Sequence, residues 1–295
     1  FLNTILMYCS SKLFGNSEFA LRLPNLLFHA VFMAAAFLFV RRRFPGAFSA
    51  VCAFIITTIN PFVLDFFSLA RGYGVAMALM MLGLFFFLRG VRSEGRDRKD
   101  ILAGFWCAGL AAFANLSFLN FLAGMVGAYL AVDCLIRAKR GDEVGLAAMA
   151  VEIVSGMPFF YKHIILKLII LVPLALNFFR EKALYYGGGW GFWQDTIVSL
   201  IISSGYDCSY LPLYAAVMKV LVIVVTAAAL LVLALELRKG ITPLTMAVLL
   251  VSLIAGLTAA LVLIQHFVFG TPYPMDRTAF HFILFFNVMA VLLAQ

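Results

Sequence analysis

Apolar positions in this chain fall into runs of about 18–25 residues separated by short polar turns, the length a helix needs to cross a bilayer. Ten-residue alternations of the kind that build a barrel are absent. The runs predict spanning helices over 22–40, 47–67, 73–90, 101–115, 118–136, 163–179, 213–236, 243–265 and 278–295. Residues 1–13 are too short to span. A further apolar run, 144–161, carries Glu152 and Pro158 and leaves almost no turn before the next run. It reads as an amphipathic or re-entrant element, because a carboxylate at mid-membrane is costly and proline breaks the helix. The expectation is an all-α polytopic integral membrane protein with about nine transmembrane helices and juxtamembrane helices on its outer face.

Charge placement orients that pattern. Arg41-Arg42-Arg43 follows the first run and precedes Pro45-Gly46, a stop of the kind found on the cytoplasmic side. With that side inside, fifteen of the 22 basic residues fall on inner loops and helix ends. Six lie outside: Lys12, Arg22, Arg71, Arg180, Lys182 and Arg277. Six of the 14 acids lie outside with them, so the outer face is near neutral and the inner face strongly positive. One alternation satisfies the positive-inside rule along the whole chain. The net charge of +8 is then an orientation signal and no sign of nucleic acid. If 144–161 spans, every later loop changes side. Residues 1–295 read as one transmembrane domain, with an outer juxtamembrane segment at 1–21, an inner loop at 137–162 and an outer loop at 180–212.

Composition agrees. Hydrophobic residues make up 64% and charged residues 12%, about half the charge of an ordinary soluble domain. Mean hydropathy is +1.05. The five cysteines show no metal-ligand spacing; Cys9 and Cys208 are an outer-face pair that a disulfide can join. The chain begins at Phe1 without methionine and stops inside an apolar run, and is expected to be a fragment. No internal repeat is evident.

The stretch 14–27, FGNSEFALRLPNLL, places Glu18 and Arg22 four residues apart, on one face of a short helix. Asn16 or Ser17 is its candidate N-cap, and Pro24 is expected to end it and open the first spanning helix. An interfacial helix with an ion pair and no chemistry fits the same residues. Asn60-Pro61 breaks the second run, with Asp65 following. Arg71-Gly72-Tyr73-Gly74 opens the third: a guanidinium beside a helix N-terminus with bare backbone N–H groups suits a phosphate. Snorkelling of Arg71 and an interfacial role for Tyr73 are the alternatives.

The outer loop 180–212 holds Arg180, Glu181 and Lys182 beside Tyr185, Tyr186 and Gly187–Gly189, with a short helix expected at 194–202. The last outer loop runs from His266 through Tyr273-Pro274-Met275-Asp276-Arg277. His266 reads as a polar cap on a helix end. Trp190 and Trp193 read as interfacial anchors. Lys219, about two turns into a run, needs a partner or a watery cleft.

Leu13-Phe14-Gly15, Ser17-Glu18 and Arg22-Leu23-Pro24 resemble, in order, the segment after the first extracytoplasmic loop of the protein O-mannosyltransferase and aminoarabinose transferase families. These are lipid-donor glycosyltransferases of the C-type fold. Arg71-x-Tyr73 is similar to an Arg-x-Tyr in those families, and Tyr273-Pro274 with Arg277 resembles their late loop, where an arginine lies near the donor phosphate.

The resemblance implies transfer of a sugar from a polyprenyl-phosphate donor to a lipid or protein acceptor on the extracytoplasmic face, in a bacterial inner membrane. It implies donor-phosphate binding by Arg22, Arg71, Tyr73, Arg180, Lys182 and Arg277, supported by Glu18, Asp65, Tyr273 and Asp276. The catalytic acid is expected upstream of Phe1. No cofactor is implied beyond the donor, and a divalent metal has no support in the residues. A flippase for a lipid-linked sugar, or a non-catalytic homologue, are the rival classes. Charged residues at mid-membrane would favour the first rival, and Lys219 and Glu152 are the only candidates.

Overall fold

The computed structural model describes residues 1–92, 97–140, 173, 187–206, 210–239 and 242–295. Among them the chain is helical, with a single isolated backbone bridge, Gly188 to Tyr273, and no strand. The predicted 163–179 span and the element at 144–161 lie outside the described residues, as do Arg180, Lys182, Glu181, Tyr185 and Tyr186.

Helix α1 (Leu2–Phe14) precedes α2 (Glu18–Arg41). Ser17 is the N-cap of α2, its side chain accepting from the Ala20 N–H at 3.2 Å. Pro24 does not end a helix there: α2 runs through it without a break, which corrects the expected two-part arrangement. Proline removes the N–H that would bond the Ala20 carbonyl. The Ser10 hydroxyl of α1 donates to that carbonyl instead.

The 47–67 run is two helices, α3 (Ala47–Thr58) and α4 (Pro61–Ser68), bent by 64°. Asn60 caps α4 through its side-chain oxygen, with Pro61 at the first helical position, so the sequence itself dictates the break. Helices α5 (Gly72–Arg92), α6 (Arg98–Ala114) and α7 (Leu119–Arg140) follow. A π-helical segment, Phe192–Val198, leads into α8 (Ser199–Ser204), so the helical stretch extends about two residues beyond each end of the expected 194–202 helix. The last three are α9 (Leu211–Lys239), α10 (Pro243–Phe269) and α11 (His281–Leu293).

Five of these helices are long and apolar enough to cross a membrane among the described residues: α2, α5, Leu116–Leu135, α9 and α10; the bent α3–α4 pair makes a sixth if it is one span. Nine spans are therefore not found. Helix α6 has 17 residues and starts with Arg98, Lys99 and Asp100; α11 has 13, because a 3-10 turn at Asp276–Ala279 takes up the start of the predicted last run. This is an all-helical integral membrane protein.

The core lies where α5 meets α2 and α6, with α7, α10 and α11 closing the other side. Helices α5 and α6 approach closely through glycine. A Cβ on Gly104 would sit 3.0 Å from the Gly83 carbonyl oxygen and from Phe87 Cβ. Small residues of this kind let helix backbones meet where lipid supplies no hydrophobic drive. At the far end Arg89 grips Asp100 through two hydrogen bonds, and Arg43 stacks over Phe39.

Candidate functional site

Several of the predicted outer residues lie in or beside contacts between helices distant in sequence. The contacts there form a connected set. The Phe1 ammonium donates to the Phe113 carbonyl at 3.2 Å, and Asn25 donates to Asn3 at 3.2 Å. Asn120 and Gln265 exchange amide bonds at 3.0 and 2.9 Å. Asn60 donates to Ser204 at 3.3 Å, Tyr206 donates to Asp65, and Ser203 donates to Asp276 at 2.7 Å. The C-terminal end of α8 thus ties α4 to the 276 turn.

Each predicted residue has a definite place. Glu18 and Arg22 form the expected ion pair on the exposed face of α2. Arg71 is exposed at the start of α5, and its side chain makes no hydrogen bond or ion pair among the described residues. Tyr73 packs into an aromatic cluster, 5.1 Å from Phe66 and 6.2 Å from Phe280 between ring centroids. The glycines beside it answer to packing. A Cβ on Gly72 would lie 2.3 Å from the Ala114 carbonyl oxygen, and one on Gly74 2.8 Å from that of Phe66.

Asp276 attaches to Ser203 in the last turn of α8, and Asp65 to Tyr206 just after that helix. Both Tyr206 and Asp276 hold positive φ, 51° and 45°, a backbone region that costs a bulky side chain energy. The Tyr206 hydroxyl is pushed up to about 12, first by burial and then by its bond to the Asp65 carboxylate. Tyr273 is buried; it exchanges backbone bonds with Gly188 at 3.0 and 2.9 Å and stacks on His266 at 4.0 Å. His266 faces the Thr271 carbonyl through Nδ1 at 2.7 Å, the helix-end role expected of it. Arg277 is half-buried in the 3-10 turn. Cys9 is an exposed thiol with no disulfide among the described residues; Cys208, its expected partner, lies outside them. Trp190 is almost fully exposed, as an interfacial anchor would be.

One residue escaped the sequence reading. Asp195 is buried, and its Oδ2 accepts the backbone N–H groups of Trp190 at 2.7 Å and Gly191 at 2.9 Å. It shapes the glycine-rich loop that reaches Tyr273. An aspartate shortly after Gly187–Gly191 is the signal that was available. Among the described residues, no three His, Cys, Asp or Glu side chains gather as metal ligands.

A cavity of about 360 Å³ lies among α8, α9, α10 and α11, with Asn60 and Ser204 on its wall. The cavity wall is mostly apolar, with the hydroxyl and amide groups of Ser204 and Asn60 among its polar members. The family comparison narrows the class. The profile of the family described as dolichyl-phosphate-mannose-protein mannosyltransferase matches residues 3–161, more than half of the chain, and the chain belongs to that family. It is thus a membrane glycosyltransferase of the mannosyltransferase-like kind. No match was found among curated proteins or among solved structures.

Proposed function

We propose that the protein transfers a sugar from a polyprenyl-phosphate donor to a lipid or protein acceptor at the extracytoplasmic face of a bacterial inner membrane. In the step, an acceptor hydroxyl oxygen bonds to the anomeric carbon while the bond from that carbon to the phosphate oxygen breaks. The electron pair leaves on the polyprenyl phosphate, and the acceptor proton passes to a base. Negative charge grows on the phosphate as it departs, so fixed cations near it lower the barrier.

Arg71 is the observation that carries this reading. It is an exposed guanidinium, unpaired among the described residues, at the N-terminal end of a helix. That geometry favours a phosphate over a neutral group, and guanidinium binds phosphate oxygens in pairs. Arg277 and Arg22 are its proposed companions, with Tyr73, Tyr273, Glu18, Asp65 and Asp276 shaping the surroundings. Arg180 and Lys182 would add charge from the neighbouring loop.

The test is transfer itself. Membranes containing the protein are given radiolabelled polyprenyl-phosphate mannose and related donors, and label is followed into lipid and protein. Transfer supports the proposal. Movement of the donor between leaflets without transfer would replace it with a flippase.

A further inference from the structure

The last turn of α10 ends in a reversal that fixes one imidazole. Gly270 adopts φ 64° and ψ 23°, the left-handed cap that lets the chain fold back over the helix end. Its N–H bonds the His266 carbonyl at 2.9 Å, and the Thr271 carbonyl then faces His266 Nδ1 at 2.7 Å. The turn is anchored through the neighbouring residue, Gln265, which exchanges amide bonds with Asn120 of α7. The imidazole stacks on the buried Tyr273 ring at 4.0 Å, with 21° between the planes. Tyr273 is held in turn by its two backbone bonds to Gly188.

A carbonyl oxygen only accepts, so the bond to Thr271 places the ring proton on Nδ1. In the neutral ring Nε2 is then a lone-pair acceptor. It is neither buried nor hydrogen-bonded among the described residues. His29 Nε2 and both nitrogens of His281, by contrast, are buried without partners. An oriented acceptor of this kind suits a hydrogen-bond donor and disfavours a phosphate oxygen, which has only lone pairs to offer. Phosphate is the business of arginine. The substrate group that matches Nε2 is a hydroxyl. The loop that carries Tyr273 also carries Arg277, a proposed companion for the donor phosphate.

We infer that His266 Nε2 accepts a hydrogen bond from a hydroxyl of the sugar on the phosphate-linked donor, which makes His266 a specificity-determining residue. The identity of the ligand as a sugar donor rests on the transfer reaction proposed above. The acceptor character of Nε2 rests on the Thr271 carbonyl alone. Thr271 keeps the proton off Nε2, and the Tyr273 ring limits rotation of the imidazole, so the contact is set before the sugar arrives.

Donor binding is measurable without transfer. The purified chain, carrying isotope-labelled histidine, is titrated in detergent with farnesyl-phosphate mannose and with analogues that each lack one sugar hydroxyl. Nuclear magnetic resonance follows the ring nitrogens, and loss of signals in His266→Asn identifies those of His266. The parent donor is expected to move the His266 Nε2 resonance. One analogue is expected to leave that resonance in place and to bind about tenfold more weakly, the discrimination that one hydrogen bond supplies. His266→Asn keeps an N–H for the Thr271 carbonyl and has no acceptor at the Nε2 position. It should weaken the parent donor about tenfold and leave the affinity for that one analogue unchanged. Unchanged affinity of His266→Asn for the parent donor overturns the inference. So does a loss of equal size for the parent and every analogue, the mark of a disturbed loop. An Nε2 resonance that the parent donor leaves in place overturns it as well. Selective binding with no label transfer would remove the transferase reading and leave the hydroxyl contact standing.

Discussion

The Ser10 hydroxyl of α1 donates to the Ala20 carbonyl of α2, the group that Pro24 deprives of its helical partner. One residue therefore repairs the hydrogen-bond ladder of another helix and fixes α1 against α2. Ser10 and Ala20 are both buried, so no water substitutes readily. Ser10→Ala is expected to destabilise the protein by about 1–3 kcal/mol, the cost of an orphaned buried carbonyl. In a Pro24→Ala background the same change costs less, because the restored N–H at 24 bonds Ala20. A double-mutant cycle by thermal unfolding in detergent measures the coupling. Additive effects would show that Ser10 acts elsewhere.

Glycine sets the spacing of α5 and α6. Any side chain at Gly104 meets the Gly83 carbonyl and Phe87 backbone at about their contact limit. Gly104→Val forces the helices apart at a cost of about 1–3 kcal/mol, the usual range for overpacking. Gly256→Val, at an open position, leaves stability within about 0.5 kcal/mol, as for substitutions away from packed features. The comparison of the two unfolding midpoints checks the packing of this interface.

Tyr206 and Asp65 make a pH-dependent tie between α4 and the turn after α8. The folded-state value of Tyr206, about 12, lies above its ordinary value of 10.0. The neutral phenol is thus favoured by folding. Its contribution is complete below pH 10 and is lost as pH rises through 12. Asp65→Asn removes the carboxylate's share and lowers the titration midpoint, while burial keeps it above the ordinary value. Ultraviolet difference titration against Tyr206→Phe reads the midpoint directly. A midpoint unmoved by Asp65→Asn would show that the pair does not form in solution.

Much of this was legible in the residues because the signals were local. Ser17 and Asn60 cap helices with their own side chains, and Glu18 and Arg22 pair within one turn. The continuity of α2 was not legible, since the partner that makes Pro24 tolerable comes from another helix. The shortening of the last run depends on Asp276 at positive φ, held in place by Ser203 and by the Ser199 hydroxyl that accepts its N–H. Sequence spacing carries no trace of such contacts. At the candidate site, Asp65 and Asp276 were marked as outer residues, yet their attachment at the end of α8 appears only once the chain is folded. Asp195 was passed over because its ligands are backbone N–H groups, which every loop possesses.

The Arg71 guanidinium is proposed to bind the phosphate of a lipid-linked sugar. Transfer of labelled mannose from its polyprenyl phosphate by membranes carrying the Arg71→Ala protein tests it most directly, with Arg71→Lys beside it and membrane insertion quantified for each. Arg71→Ala is expected to abolish transfer at unchanged insertion. Arg71→Lys should retain a small fraction, since lysine keeps the charge and loses the paired hydrogen bonds. Transfer by Arg71→Ala at the level of the unaltered protein would contradict it.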